Sequence, residues 1–281
     1  MENIGRTVVH TLGYNTHGMV REAGDLLLAQ NKWDGFEYVV VDAGYPLSEM
    51  DQWEASLVTK QENSDKIEEY AKSIDANYLY IKNKGVSGNW TQIAQYACIG
   101  EDDILIGADP DERPVKEEWV RAVSEVMMAD RSIAVCSLAM AEQSELLKNP
   151  DYIDEERIVA GHRVMYMKAC MNWALIGLSG RFINAVGIAK PWGVPYPNTA
   201  PIYGWIEGAC WDPMRLLGMR YVVLLDYEVV HLASHPLASE WKVWVTANVG
   251  QLGTQYSFEK WLSMTPQECA ELVAKGKKDG E

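Results

Sequence analysis

Short apolar runs alternate with amphipathic stretches along the first half of the chain. Apolar runs of about four to eight residues bounded by turn residues are typical of buried strands, whereas apolar positions three and four residues apart are typical of helices. Strands that alternate with helices favour a mainly parallel sheet with helices on both faces. We therefore predict an α/β fold, with strands at residues 6–12, 36–42, 78–81, 104–108 and 132–138.

The amphipathic stretches predict the helices of the same fold, at residues 13–30 after an initial turn, 62–74, 90–100 and 116–129. From Ala139 onward the alternation fails, and the next predicted strands are at 221–225 and 228–231. Thr265-Pro266-Gln267-Glu268 is a capping box with proline at the first helical position, which predicts a last helix ending near Gly276.

No internal repeat, low-complexity tract or long linker divides the chain. We therefore predict a single domain over residues 1–281. Its regular half is residues 1–138, and residues 139–281 form a less regular half.

Composition excludes several classes of protein. The chain has 281 residues, 48% of them hydrophobic and 23% charged, values that exclude disordered, collagen-like and coiled-coil proteins. No apolar run approaches the ~18 residues of a bilayer span, and residues 1–12 lack the pattern of a signal peptide. The five cysteines form no CxxC pair, which favours free thiols in a reducing compartment. We expect a cytoplasmic protein with no membrane partner.

Charge is unevenly distributed along the chain. The formal net charge of −15 disfavours a general coating of DNA or of an anionic membrane. Yet the stretch from Arg157 to Ile206, which we call the acid-free segment, contains no Asp or Glu. It is either a basic surface for an anionic partner or apolar core that excludes charge. Its basic residues are Arg157, Arg163, Lys168, Arg181 and Lys190.

The first candidate for chemistry is Asp109-Pro110-Asp111, which follows the predicted central strand at residues 104–108. Two carboxylates at the carboxyl end of a buried strand can converge on one hard cation, and open α/β sheets bind ligands at that edge. A divalent ion held by few carboxylates keeps positions open for diphosphate oxygens. Asp and Pro are also ordinary turn residues, so an ordinary turn is the alternative interpretation.

Two further residues end apolar runs in the same way. Asp42 closes the strand at 36–42, where its carboxylate can accept hydrogen bonds from a nucleobase or ribose, or can simply end the strand. His231 closes the run Val229-Val230. A neutral imidazole beside carboxylates moves the metal preference from magnesium toward manganese. A single histidine also commonly serves packing or a backbone hydrogen bond.

The stretch from Tyr203 to Gly218 places two carboxylates, Glu207 and Asp212, among three aromatic residues. Partial burial raises the pKa of a carboxylate toward that of a general base. The alternative is the start of a helix, where acidic residues interact favourably with the helix dipole. The common GxGxxG, GxxxxGK[ST], GxSxG and HExxH signatures are absent, so the functions that these motifs indicate have no support.

Taken in order, these pieces resemble the large, inverting, nucleotide-sugar-dependent family of GT-A fold glycosyltransferases. The resemblance covers about residues 4–235 and is weak between 140 and 200. It is carried by Val40-Val41-Asp42, Asn83-Lys84-Gly85, the strand and D-x-D motif of residues 104–114, the aromatic and acidic stretch of residues 204–218, and Val229-Val230-His231.

The resemblance implies a GT-A, Rossmann-like fold, with a mainly parallel sheet between helices and a less regular C-terminal half on the acceptor side. It also implies a nucleoside-diphosphate sugar as donor, with a UDP-sugar the expected case. Asp42 would lie near the uracil, and Asn83 and Gly85 would belong to the donor site. Asp109, Asp111 and His231 would surround a Mn²⁺ or Mg²⁺ ion.

The same resemblance implies a general base that takes the proton of an acceptor hydroxyl. The family has an adjacent Glu-Asp pair where this chain has Glu207-Gly208, with Asp212 further along. Either Glu207 or Asp212 is therefore the expected base. Inversion or retention at the sugar carbon stays open.

In similar enzymes the segment between the D-x-D strand and the acidic motif builds much of the acceptor site. Here it contains the acid-free segment, and basic plus aromatic residues suit a flat anionic acceptor such as a hydroxymethylated base in DNA. Compact glycosyltransferases that modify phage DNA are similar in outline. A glycan or small-molecule acceptor, a nucleotidyltransferase of related fold and a non-catalytic sugar-binding protein are the alternatives. The expected acceptor-binding residues are Arg163, Lys168, Arg181, Trp192, Trp205 and Trp211.

Overall fold

A computed structural model of the chain describes residues 5–13, 17–44, 60–82, 85–169, 175–187 and 206–231. Its α-helices are α1 (His17–Gln30), α2 (Lys60–Ser73), α3 (Gly85–Tyr96), α4 (Trp119–Ala129), α5 (Gly180–Val186) and α6 (Ile206–Leu216). Its strands are β1 (Thr7–Gly13), β2 (Phe36–Gly44), β3 (Asn77–Lys82), β4 (Ile104–Gly107), β5 (Glu112–Pro114), β6 (Ile133–Met140), β7 (Ile153–Val159), β8 (His162–Met167), β9 (Gly177–Ser179) and β10 (Arg220–His231).

All ten of these strands belong to one sheet, in the order β3-β2-β1-β4-β9-β6-β10-β8-β7, with β5 paired to β10. The neighbours β3, β2, β1 and β4 run parallel to one another, as do β6 and β10. The short strand β9 lies antiparallel between β4 and β6, and β8 and β7 continue antiparallel beyond β10. The predicted α/β class with a mainly parallel sheet is confirmed, and strands from both predicted halves of the chain share the sheet.

Helices cover both faces of the central strands, which explains why these strands are so apolar. Every residue of β4 and all but one of β1 is buried. Val8 of β1 belongs to the same core cluster as Trp90 of α3 and Phe182 of α5. Val9, which points to the other face, belongs to a second cluster with Val20 of α1. None of the helices in the described part of the chain is long and apolar enough to span a membrane.

The second half differs from the predicted elements in two ways. The predicted strands at 221–225 and 228–231 are one continuous strand, β10, whose pairing with β6 shifts register between Leu224 and Glu228. Residues 226–227 interrupt the apolar run at that irregularity, which is why the sequence indicates two strands. The strands β7, β8 and β9 were not predicted, because β7 is largely exposed at the sheet edge and β9 has only three residues. The predicted C-terminal helix lies outside the described residues.

A buried histidine lies in the middle of β1. His10 is 1% exposed, its ring is 4.5 Å from the ring of Trp90, and neither ring nitrogen has a hydrogen-bond partner. Burial lowers the pKa of His10 to about 3, because the charged imidazolium would lose its hydration without gaining a partner. Trp90 also packs over Gly107, where an added Cβ would lie 2.4 Å from the indole Cζ2 atom. His10, Trp90 and Gly107 therefore pack tightly against one another where β4 ends.

Because His10 is buried in its uncharged form, we predict that the folded protein becomes less stable in acid. Its ordinary pKa is 6.5 and its folded-state pKa is about 3, so below pH 6.5 the unfolded chain binds a proton that the folded chain does not. We expect this residue to lower the free energy of unfolding by up to about 1.4 kcal/mol per pH unit as pH falls through this range. Urea unfolding of the wild type and His10→Leu at several pH values measures it. The variant should lose this part of the pH dependence, and parallel pH profiles would contradict the assignment.

Candidate functional site

The Asp109-Pro110-Asp111 motif forms a tight turn directly after β4, at the end of the sheet where the parallel strands finish. The backbone N–H of Glu112 donates a 3.1 Å hydrogen bond to the carbonyl of Asp109, which closes the turn. Proline is favoured at the second position of such a turn because its φ is already fixed. Asp109 is exposed, and the side chain of Asp111 is only 16% exposed. The predicted placement of the motif after a buried strand is confirmed.

His231 reaches the turn because β5 pairs antiparallel with the end of β10. In this pairing Glu112 lies opposite His231, so Asp111, one residue earlier, lies beside the imidazole. His231 Nε2 is 3.0 Å from Asp111 Oδ2, although the two residues are separated by 120 positions in the sequence. The structure thus brings together two of the three residues expected to hold a metal.

The separation of Asp111 and His231 is that of a hydrogen bond or ion pair, and it also fits two ligands of one metal ion. Two adjacent ligands of an octahedral ion with bonds of about 2.1 Å lie roughly 3 Å apart, which is the observed separation. A carboxylate oxygen with an imidazole nitrogen is a donor set that suits manganese better than magnesium. Within the described residues no third His, Cys, Asp or Glu completes the group, so Asp109 is not assembled with the pair.

Asp42 lies at the same edge of the sheet, on β2, opposite Gly13 of β1 and Tyr80 of β3. It is 1% exposed, and its Oδ2 atom accepts a 3.2 Å hydrogen bond from the hydroxyl of Tyr78. Burial raises the pKa of Asp42, and hydrogen bonds from Ser64 and Tyr78 act in the opposite direction. Hydroxyl groups of the protein therefore hold the carboxylate, which the sequence pattern did not indicate. Gly85 begins α3, and Asn83 lies outside the described residues.

Glu207 and Asp212 both lie on α6, and their side chains are outside the described part of the structure. The helix is joined to β10 by residues 217–219, and Trp211 on the helix makes an edge-on contact with Tyr221, with ring centres 6.5 Å apart. The middle of α6 therefore packs against the start of β10. Asp212 comes five positions after Glu207, which places it roughly 7.5 Å further along the helix and about 140° around it.

The described part of the acid-free segment is mainly core. Residues 164–167 of β8 are buried, and Leu178 of β9 and Phe182 of α5 are completely buried. Two of its cations are paired with acids from outside the segment. Arg157 makes an ion pair with Glu155, and Arg163 makes ion pairs with Glu156 at 2.8 Å and with Asp226 at 3.6 Å. In this structure β7 and β10 supply carboxylates that balance the charges of Arg157 and Arg163.

Among the other expected acceptor residues, those that the structure describes are not grouped at the turn. Arg181 follows β9, whose end pairs with the start of β4, and its Nη1 atom donates a 3.0 Å hydrogen bond to the carbonyl of Arg131. Lys168 follows β8, which runs toward the start of β10. Both residues therefore lie toward the end of the sheet opposite the Asp111–His231 pair. Trp211 packs on Tyr221, and Trp192 and Trp205 lie outside the described residues.

No protein-family model matches the sequence, and the comparison with curated proteins gives no match either. Solved structures do match. The structure of GalNAc-T7 with UDP, GalNAc and Mn²⁺ is similar with a TM-score of 0.55 and 13% identity, over 82% of this chain and 44% of that chain. The structure of a mycobacterial protein is similar with a TM-score of 0.50 and 15% identity, over 84% of this chain and 69% of that chain.

This chain therefore spans less than half the length of GalNAc-T7. At such low identity the similarity concerns the fold, and the fold is GT-A, as the motifs in the sequence predicted. The class of protein that the structure defines is thus a GT-A fold protein with a carboxylate–imidazole pair at the edge of its sheet.

Proposed function

We propose that the chain is a glycosyltransferase that moves a sugar from a nucleoside-diphosphate sugar to a hydroxyl group. The observation that carries this proposal is the 3.0 Å pair of Asp111 and His231 at the carboxyl edge of the parallel strands. Open α/β sheets bind their ligands at this edge. The similar structure of GalNAc-T7 contains UDP, GalNAc and Mn²⁺, which supports a UDP-sugar as donor and Mn²⁺ or Mg²⁺ as the metal.

Asp111 and His231 would hold the metal, which when bound offsets the negative charge that develops on the leaving diphosphate. Two protein ligands are enough for such a site, because substrate phosphates and water commonly fill the other positions. We keep Asp109 in the proposed donor site because it lies in the same turn as Asp111 and is exposed.

Asp42 would accept a hydrogen bond from the uracil. The ionised carboxylate is the stronger acceptor, and burial opposes ionisation by raising the pKa of Asp42. The hydroxyl groups of Ser64 and Tyr78 counteract that effect by donating to the charged form. They also fix the direction of the carboxylate. Asn83 and Gly85, at the start of α3, belong to the same proposed donor site.

Glu207 is the proposed general base, which takes the proton of the acceptor hydroxyl as that oxygen attacks the sugar carbon. Its place in the sequence supports this role, because Glu207 is the nearest match in this chain to the adjacent acidic pair of the family that the sequence resembles. Asp212 is the alternative base.

The described residues favour a glycan or small-molecule acceptor over hydroxymethylated DNA. The case for DNA depended on unpaired cations in the acid-free segment, and Arg163 is paired with Glu156 and Asp226. The net charge of −15 also disfavours a polyanion. The two kinds of acceptor differ in salt dependence, since binding that neutralises phosphates weakens steeply as salt rises and binding to a neutral glycan does not.

Asp111 gives a direct test of the donor site. Asp111→Ala should weaken UDP binding in the presence of Mn²⁺ by at least roughly 10–100-fold, the range for loss of a residue that only orients a metal ligand. Calorimetry measures the affinity, and Asp34→Ala, which removes an exposed carboxylate near the opposite end of β2, is the control. Equal UDP affinity in Asp111→Ala and wild type would count against the assignment.

The same proteins test the reaction class. Wild type with a UDP-sugar and Mn²⁺ should release free UDP as the sugar passes to an acceptor hydroxyl or to water. A nucleotidyltransferase would release no UDP from the UDP-sugar and would instead release pyrophosphate from a nucleoside triphosphate supplied with a sugar phosphate. A sugar-binding protein would release neither product. Release of UDP should fall in Asp111→Ala and persist in Asp34→Ala.

Glu207→Gln and Asp212→Asn distinguish the two candidate bases. Loss of the base should lower the single-turnover rate by about 10²–10⁴-fold and leave donor affinity nearly unchanged, because a base acts mainly in the transition state. We expect this result for Glu207→Gln and a near-normal rate for Asp212→Asn. The reverse pattern would assign the role to Asp212.

A further inference from the structure

Arg113 lies two residues after Asp111, and its side chain turns back over the Asp109-Pro110-Asp111 turn. Its Nη1 atom donates one hydrogen bond to the carbonyl of Pro110 at 2.7 Å and another to the carbonyl of Glu112 at 3.0 Å. These two carbonyls belong to the residues on either side of Asp111. One guanidinium nitrogen thus binds the backbone on both sides of the proposed metal ligand.

The other end of the guanidinium is tied to a different element of the fold. Arg113 Nη2 is 3.2 Å from Glu22 Oε2 on α1, where the Arg113 side chain is 18% exposed and that of Glu22 is 61% exposed. An ion pair with such an exposed partner adds little stability by itself. Its effect is geometric, because it fixes the direction from which the guanidinium approaches the turn.

The strand after the turn is also held on two sides. β5 pairs with the end of β10, and the N–H of Val115 donates a 2.8 Å hydrogen bond to the carbonyl of Glu228. From the α1 side, Gln30 Nε2 donates a 2.6 Å hydrogen bond to the carbonyl of Pro114. Within the turn, Arg113 adds its two hydrogen bonds to the one that Glu112 donates to the carbonyl of Asp109.

Arginine is suited to this task and lysine is not. The guanidinium is planar and presents five N–H donors in a rigid fork, so it can bind two carbonyls and a carboxylate in one orientation. The ammonium of lysine is a compact charge on a flexible stem. A lysine at position 113 would keep the positive charge and lose the fixed bridge between the turn and Glu22.

We infer that Arg113 is a positioning residue for Asp111, which it keeps beside His231 before the metal and donor bind. This inference rests on the proposed function, in which Asp111 and His231 are metal ligands. A ligand that is already in place avoids the entropy loss of ordering the turn when the metal binds. Arg113 acts through the backbone of the turn, so its loss should reduce affinity by misplacing Asp111.

Arg113→Lys should weaken UDP binding in the presence of Mn²⁺ by about tenfold, the lower end of the range for residues that orient metal ligands. Calorimetry measures this affinity, and thermal unfolding verifies that the variant is folded. Arg121→Lys is the matched control, because Arg121 forms a similar ion pair with Glu125 at 2.8 Å on α4. The control should bind UDP as the wild type does.

A second pair of variants separates positioning from general stabilisation. In an Asp111→Ala background, Arg113→Lys should cause no further loss of affinity, because the ligand that Arg113 positions is already removed. The same tenfold loss in both backgrounds would show a structural role that does not act through Asp111. No loss in either background would overturn the inference as well.

Hydrogen exchange gives a readout that does not depend on the proposed function. The amide of Glu112 closes the turn, so in metal-free protein it should exchange faster in Arg113→Lys than in wild type or Arg121→Lys. If wild type failed to bind UDP with Mn²⁺, the proposed function would fail, and faster exchange would still show that Arg113 holds the turn. Unchanged exchange would contradict the inference.

Discussion

The antiparallel pairing of β5 with the end of β10 decides where the candidate site lies. β5 has only three residues, and its register sets Glu112 opposite His231 and Pro114 opposite Val229. Side chains alternate between the two faces of a strand, so a slip of one residue would turn the imidazole to the other face and away from Asp111. The proposed metal ligands, the turn between β4 and β5, and the Arg113 contacts all depend on this register.

Burial explains the rest of the arrangement. The central strands are covered on both faces, so polar side chains can meet a ligand only where the strands end. The acid-free segment follows from the same cause, because much of it supplies core from β8, β9 and α5. Arg163, in its exposed part, pairs with Glu156 and Asp226 on the two neighbouring strands. For this arginine, the local lack of acidic residues in the sequence is balanced by carboxylates that the fold brings close.

The sequence predicts the regular half of the fold well, because each buried strand and each amphipathic helix has its own local pattern. The edge strand β7 and the three-residue strands β5 and β9 have no such pattern and depend on their neighbours in the sheet, and residues 112–114 of β5 look like a loop in the sequence. In the site, the positions of Asp42, Asp111 and His231 at strand ends could be predicted. The hydrogen bonds that orient them could not, because Tyr78 and Arg113 act through contacts made only in the folded chain.

The central claim is that Asp111 and His231 bind one divalent metal together with the donor diphosphate. Pulsed electron paramagnetic resonance of Mn²⁺ bound with UDP tests it most directly, because coupling to a nitrogen nucleus reports an imidazole ligand. The account predicts nitrogen coupling in wild type that disappears in His231→Ala, and persists in His162→Ala, which removes a histidine paired with Glu125 instead. Wild-type spectra without nitrogen coupling, or coupling that survives in His231→Ala, would contradict it.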